Sequence, residues 1–103
     1  MIEIISEPRK GLKISGHAGY AEKGKDIVCA GVSVLYQTLI ALPGMAYSMD
    51  GDDKRAWIIG SGDHLKQWLE TFADALETIA EKYPDHVRFR RGSVAKISED
   101  NHI

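Results

Sequence analysis

The sequence predicts an α+β fold, a two-layer sandwich in which two helices pack on one face of a mostly antiparallel, four-stranded sheet. Short segments that alternate apolar and polar side chains, as half-buried strands do, occur near both ends of the chain and in its middle. Two longer segments between them have the apolar spacing of helices. The order β-β-α-β-α-β in 103 residues suits two layers around one core, so we predict a single domain over residues 1–103.

The predicted strands are short and bounded by turn residues. They are IEII (2–5), GLKISGHA (11–18), RAWIIG (55–60) and HVRFRR (86–91). The first two form a hairpin, because Pro8 and Gly11 between them favour a turn. SMDGDDK (48–54) is predicted as the turn before the third strand. The tail from Gly92 either adds a short strand or stays loose.

The first predicted helix begins after Asp26, because an aspartate N-cap accepts hydrogen bonds from backbone N–H groups that have no partner within the helix. The run that follows, IVCAGVSVLYQTLIAL, is apolar nearly all round, which predicts a central, buried helix that Pro43 and Gly44 end or kink. The second predicted helix extends from Asp63 to about Tyr83, where Pro84 stops it. Its apolar residues recur at three- and four-residue spacing and define one buried face.

Composition and charge exclude several classes of partner. The net charge is −2 with both signs mixed, which argues against a direct nucleic-acid partner because phosphate binding needs a basic surface. The basic cluster RFRRG (88–92) is either a solvated strand edge or a contact for an acidic partner. No apolar run approaches the roughly 18 residues of a membrane span, and the first residues lack the basic region of a signal peptide. We therefore expect no membrane association and a cytoplasmic location.

One stretch, GHAGYAEKGKDIVCAGVS (16–33), concentrates the residues suited to chemistry, including the only cysteine. Counting from Asp26, Cys29 lies in the first helical turn, where unpaired N–H groups and the helix dipole favour a thiolate. His17, at the exit of the second strand, can return over the helix start and take the thiol proton. The N–H groups of the helix start are candidates to hold an oxyanion. Ser33 lies one turn after the thiol and can bond to substrate, water or the histidine.

Plainer structural roles stand beside this chemistry. A lone cysteine on an apolar helix is most often a small core hydrophobe, and Asp26 either caps the helix only or orients His17. One cysteine and four scattered histidines lack the paired spacing of a zinc site. The glycines do not form a phosphate-binding loop. We therefore expect no metal and no cofactor.

The same stretch resembles the ribosomal-processing cysteine protease (Prp) family of bacteria. The family pattern is GHA, a short glycine-containing loop, then G-x-D-I-V-C-A, two residues and a serine. The chain matches it at 16–18, at 24–30 and at Ser33, and KYPDHVRF (82–89) is also similar to the family. Gly31 stands where alanine is more usual, a departure that favours a looser first helix. The basic C-terminal end is longer than the family leads us to expect.

The resemblance implies a catalytic dyad of Cys29 and His17, with Asp26 and Ser33 as supporting residues. It also implies a flexible substrate loop over residues 19–25, in which we single out Gly19, Tyr20 and Gly24. The implied fold is a two-layer α+β sandwich, usually present as a homodimer.

The substrate that the resemblance implies is a peptide segment of a protein precursor. It is an N-terminal extension on a large-subunit ribosomal protein, or a phage protein with a similar cleavage sequence. The alternative is a non-catalytic, ribosome-associated module in which the same loop only binds peptide or assists assembly.

Overall fold

The computed structural model describes residues 1–21, 26–60, 62–94 and 97, and in this part it has two helices and a five-stranded sheet. In chain order the elements are β1 (Ile2–Glu7), β2 (Gly11–Gly16), α1 (Ile27–Ile40), β3 (Met45–Asp50), β4 (Asp53–Ile58), α2 (Asp63–Lys82) and β5 (Val87–Arg91). The predicted α+β class is confirmed. The prediction of four strands is wrong by one, because β3 was not recognised.

The missed strand β3 pairs with β4 in a tight hairpin. The pairing extends from Met45 opposite Ile58 to Asp50 opposite Asp53, which leaves a loop of only Gly51 and Asp52. Gly51 has a φ of +60°, a left-handed conformation that glycine adopts without strain and that two-residue hairpin loops require. Five of the seven residues predicted as one turn (48–54) therefore belong to the two strands.

The strand order in the sheet is β3-β4-β2-β1-β5. Three of its four neighbouring pairs are antiparallel, and β1 and β5 are parallel, so the sheet is mostly antiparallel as predicted. The β1–β2 hairpin forms as expected, from Ile2 opposite Gly16 to Glu7 opposite Gly11. The parallel pair arises because α2 carries the chain across the sheet before β5 begins.

Both helices contribute to the main core against the sheet. Its most deeply buried apolar side chains include Ile4, Leu12, Tyr36, Leu39, Leu69 and Leu76. Helix α1 is less buried than its composition predicts, because it covers the sheet with one face only and leaves Val34 63% exposed. No helix of the described residues has the length and apolar character needed to cross a membrane.

A second, smaller apolar cluster lies apart from the main core. Val94 and Ile97, from the tail after β5, pack with Trp57 of β4 and with Ile5 of β1. Trp57 is only 7% exposed as a result. The chain's own tail therefore covers this tryptophan.

Candidate active site

Asp26 caps the helix that carries the cysteine. One carboxylate oxygen, Oδ1, accepts hydrogen bonds from the N–H groups of Val28, at 3.0 Å, and Cys29, at 2.9 Å. The backbone of Asp26 is extended, as an N-cap residue requires, and α1 begins at the next residue. The N–H group of Cys29, followed by those of Tyr20, Ala21 and Val28, holds the pKa of the Asp26 carboxyl below its ordinary value.

The second oxygen of the same carboxylate binds the preceding loop. Oδ2 of Asp26 accepts hydrogen bonds from the N–H groups of Tyr20, at 2.9 Å, and Ala21, at 3.4 Å. One side chain thus joins the loop to the start of α1. Of the two roles left open for Asp26, the structure shows the N-cap, and it adds this attachment of the loop.

Cys29 is the third residue of α1, as predicted, and its side chain is half-buried rather than sealed in the core. The N–H group of Ala18 points at its sulfur, with a distance of 3.3 Å from N to Sγ. The sulfur therefore accepts a backbone hydrogen bond close to the N-terminus of α1, which is the positive end of the helix dipole. No local sequence pattern predicts this donor, because Ala18 lies 11 residues before the cysteine.

The expected oxyanion donors at the helix start are already in use. Asp26 Oδ1 takes the N–H groups of Val28 and Cys29, and the Asp26 carbonyl takes that of Ala30 at 3.0 Å. The prediction that these groups hold an oxyanion is therefore wrong for these three residues. The N–H group directed at the sulfur belongs instead to Ala18.

A pocket of about 510 Å³ brings the predicted site residues together. It is lined by His17, Gly19, Ala21, Asp26, Cys29, Ala30 and Ser33. Its volume is in the range of small-ligand and side-chain pockets in proteins. Tyr20 lies beside it, with its ring against other aromatic residues, and Gly24 lies outside the described residues.

His17 lies at the exposed rim of this pocket and is paired with Asp52. Its Nε2 is 2.8 Å from Oδ1 of Asp52, and the two side chains are 74% and 60% exposed. Asp52 belongs to the β3–β4 loop. Because β4 pairs with β2, this loop lies at the end of β2, and His17 is the residue that directly follows β2. Sequence reasoning missed Asp52 because it missed β3; its signal was the acidic turn DGDD.

His86 is a second residue that sequence reasoning left without a role. Its Nδ1 is 3.0 Å from the carbonyl oxygen of Ala18, the residue whose N–H group faces the thiol. The signal was its place in KYPDHVRF, the C-terminal segment already noted as similar to the Prp family.

Comparison with known sequences identifies a family that the chain matches. The family described as cysteine protease Prp matches residues 1–88. The ribosomal processing cysteine protease Prp of Staphylococcus aureus strain Mu50 is 32% identical to the chain. The alignment covers 73% of this chain and 79% of that relative.

Solved structures show the same fold. A protein of Streptococcus mutans superimposes with a TM-score of 0.73 at 25% identity, over 88% of this chain and 93% of its own. The essential ribosomal processing protease Prp of S. aureus, with a covalently linked product peptide, gives 0.70 at 24% identity over 88% and 97%. Its complex with a substrate peptide gives 0.66 at 23% over the same shares. With the family match over residues 1–88 and a relative at 32% identity, the chain belongs to the Prp family of cysteine proteases.

Proposed function

We propose that this protein is an endopeptidase that removes an N-terminal extension from a large-subunit ribosomal protein, using Cys29 and His17 as a dyad. A phage protein with a similar cleavage sequence is the other substrate that the family suggests. The observation that carries the proposal is the pocket on which the capped helix start, the thiol and the imidazole all lie. The name of the S. aureus relative, and the peptides in its structures, support the substrate class.

The proposed reaction has two stages. The sulfur of Cys29 attacks the scissile carbonyl carbon, and His17 takes the thiol proton and returns it to the leaving amine. The C–N bond breaks, and the N-terminal part of the substrate stays on sulfur as a thioester. Water, deprotonated by His17, then releases the acyl group and restores the thiol.

Three polar groups support this chemistry in the proposal. The carboxylate of Asp26 holds Tyr20 next to the start of α1. Asp52 holds the imidazole of His17 at the pocket rim until substrate binds. Ser33, one turn along the same helix face as the thiol, offers its hydroxyl to the peptide or to a water molecule.

The test is to incubate the purified protein with precursors of large-subunit ribosomal proteins and to sequence the new N-terminus. We expect Cys29→Ala to abolish cleavage while precursor binding is retained. Thr38→Ala, a matched change on an exposed position of the same helix, should cleave normally. Cleavage by Cys29→Ala would overturn the proposal. Binding of precursors without any cleavage by the unaltered protein would favour the non-catalytic, ribosome-associated module.

We also propose that the protein acts in the cytoplasm as a homodimer, with residues 1–103 as one domain. A nucleophilic thiol must stay reduced, which a cytoplasmic location provides. Trp57 is covered, but the edge strand β3 exposes Tyr47 and Met49, which suit a contact with a second copy. Sedimentation analysis should give a dimer that Tyr47→Lys dissociates. A monomer at all concentrations would contradict this part of the proposal.

A further inference from the structure

Both backbone polar groups of Ala18 have hydrogen-bond partners in other parts of the chain. Its N–H group donates to the sulfur of Cys29 at 3.3 Å, and its carbonyl oxygen is 3.0 Å from Nδ1 of His86. Its side chain is only 3% exposed, so the residue is confined within the protein. Ala18 also directly follows His17, the proposed base. A shift of this one residue would therefore alter the surroundings of both members of the dyad.

The geometry defines which nitrogen of His86 carries a proton. A carbonyl oxygen only accepts hydrogen bonds, so Nδ1 of His86 must be the donor, in the neutral Nδ1–H form or in the protonated ring. The backbone of His86 is itself well anchored. Its N–H group donates to the carbonyl of Tyr83 at 2.9 Å, and its carbonyl accepts from the N–H group of Ile2 at 2.9 Å. His86 is thus a fixed point at the start of β5.

The ring of Tyr20 makes a second contact with His86. Its ring meets the ring of His86 edge-on at a centroid distance of 5.2 Å, and that of Tyr83 at 5.4 Å. Its N–H group is bound by the carboxylate of Asp26. Tyr20 therefore lies between the start of the helix that carries the thiol and the junction of α2 with β5.

We propose that His86 is a positioning residue for the thiol, acting through Ala18. By donating to the Ala18 carbonyl, it keeps the Ala18 N–H group directed at the sulfur, where that group stabilises the thiolate before attack. The inference rests on the proposed function for its effect on cleavage. Its effect on the reactivity of Cys29 is measurable without any substrate.

The experiment separates the hydrogen bond from the ring contact. His86→Phe keeps a ring beside Tyr20 and removes the donor, whereas His86→Asn keeps an amide donor near the position of Nδ1 and removes the ring. His64→Ala, at an exposed histidine of α2, is the matched control. Each variant is alkylated with iodoacetamide across a range of pH, and kcat and KM are measured on a precursor peptide.

We expect His86→Phe to move the alkylation profile to higher pH and to lower kcat about tenfold, the effect of losing one hydrogen bond to a charged group. KM should change little. His86→Asn and His64→Ala should stay close to the unaltered protein. An unchanged alkylation profile in His86→Phe, or a loss in His86→Asn alone, would overturn the proposal.

A measurement on the unaltered protein tests the same inference where a variant does not fold. The ¹⁵N resonances of the His86 ring should show a protonated Nδ1, and an unprotonated Nδ1 would contradict the hydrogen bond. Failure of the proposed function gives a different result, namely cleavage that persists in Cys29→Ala. In that case the alkylation profiles and the ring resonances still decide the role of His86.

Discussion

The two halves of the candidate site are held in different ways. The half that carries the thiol is tied down by backbone hydrogen bonds, because one carboxylate, that of Asp26, accepts four N–H groups. In the half that carries the imidazole, the described residues show His17 in contact with Asp52, and both side chains are mostly exposed. Exposed pairs contribute at most about 1 kcal/mol. Little free energy therefore holds the imidazole at Asp52, whereas the start of the helix that carries the thiol is held by several hydrogen bonds. The proposed dyad requires the imidazole to leave Asp52.

The largest loss of activity should come from removing the exposed imidazole of His17. We expect His17→Ala to lower kcat by about 10²- to 10⁴-fold, the usual contribution of a general acid–base group. The variant should keep its fold, because the side chain is 74% exposed. Steady-state cleavage of a precursor peptide, together with circular dichroism, measures both. A loss of less than about tenfold would show that another group moves the proton.

Asp26→Asn changes the half of the site that carries the thiol. We expect it to lower cleavage less than His17→Ala does and to lower the stability of the protein more. The pKa of the Asp26 carboxyl is lowered on folding, chiefly by the Cys29 N–H group, so its charged form stabilises the folded protein. This stability is present above the ordinary pKa of 3.8 and is lost as the pH falls through the lowered value.

Urea unfolding of both proteins between pH 7 and pH 2 measures this dependence. The unaltered protein should be more stable than Asp26→Asn at neutral pH, and the difference should shrink steadily below about pH 4. A difference that stays constant across this range would mean that the charge of Asp26 does not contribute. Tyr36→Phe, at a buried tyrosine of the same helix whose pKa burial raises to about 12, should not change this pH dependence.

Asp52→Asn should lower the catalytic efficiency only slightly. Loss of an exposed ion pair corresponds to about a two- to fivefold change in kcat/KM, and high salt should reproduce it in the unaltered protein. Asp50→Asn, an exposed aspartate in the same hairpin, is the matched control and should change nothing. A loss above about 100-fold would mean that Asp52 contributes as a buried triad carboxylate would.

The smallest effect on catalysis should come from the second apolar cluster, away from both halves. Ile97→Ala removes a side chain that packs with Trp57, and it should destabilise the protein by about 1 kcal/mol. Cleavage by the folded protein should be unchanged. A drop in kcat with the fold retained would indicate that the packing of this cluster affects the geometry of the pocket.

The same contrast explains what the sequence could predict. The N-cap at Asp26, the place of Cys29 in α1 and the β1–β2 hairpin are local, so neighbouring residues predict them. The contact of His17 with Asp52 depends on β3 pairing with β4 and on β4 lying beside β2. The contact of His86 with Ala18 joins residues 68 positions apart. No local pattern encodes such contacts, because they form only when distant strands share one sheet.

The most direct test of the central claim is to trap the covalent intermediate. The protein is mixed with a precursor peptide, quenched in acid within the first turnover and examined by intact mass spectrometry. We predict an adduct with the mass of the N-terminal extension, held as a thioester on Cys29 and absent from Cys29→Ala. Release of the extension by both proteins, with no adduct on the cysteine, would contradict nucleophilic attack by this thiol.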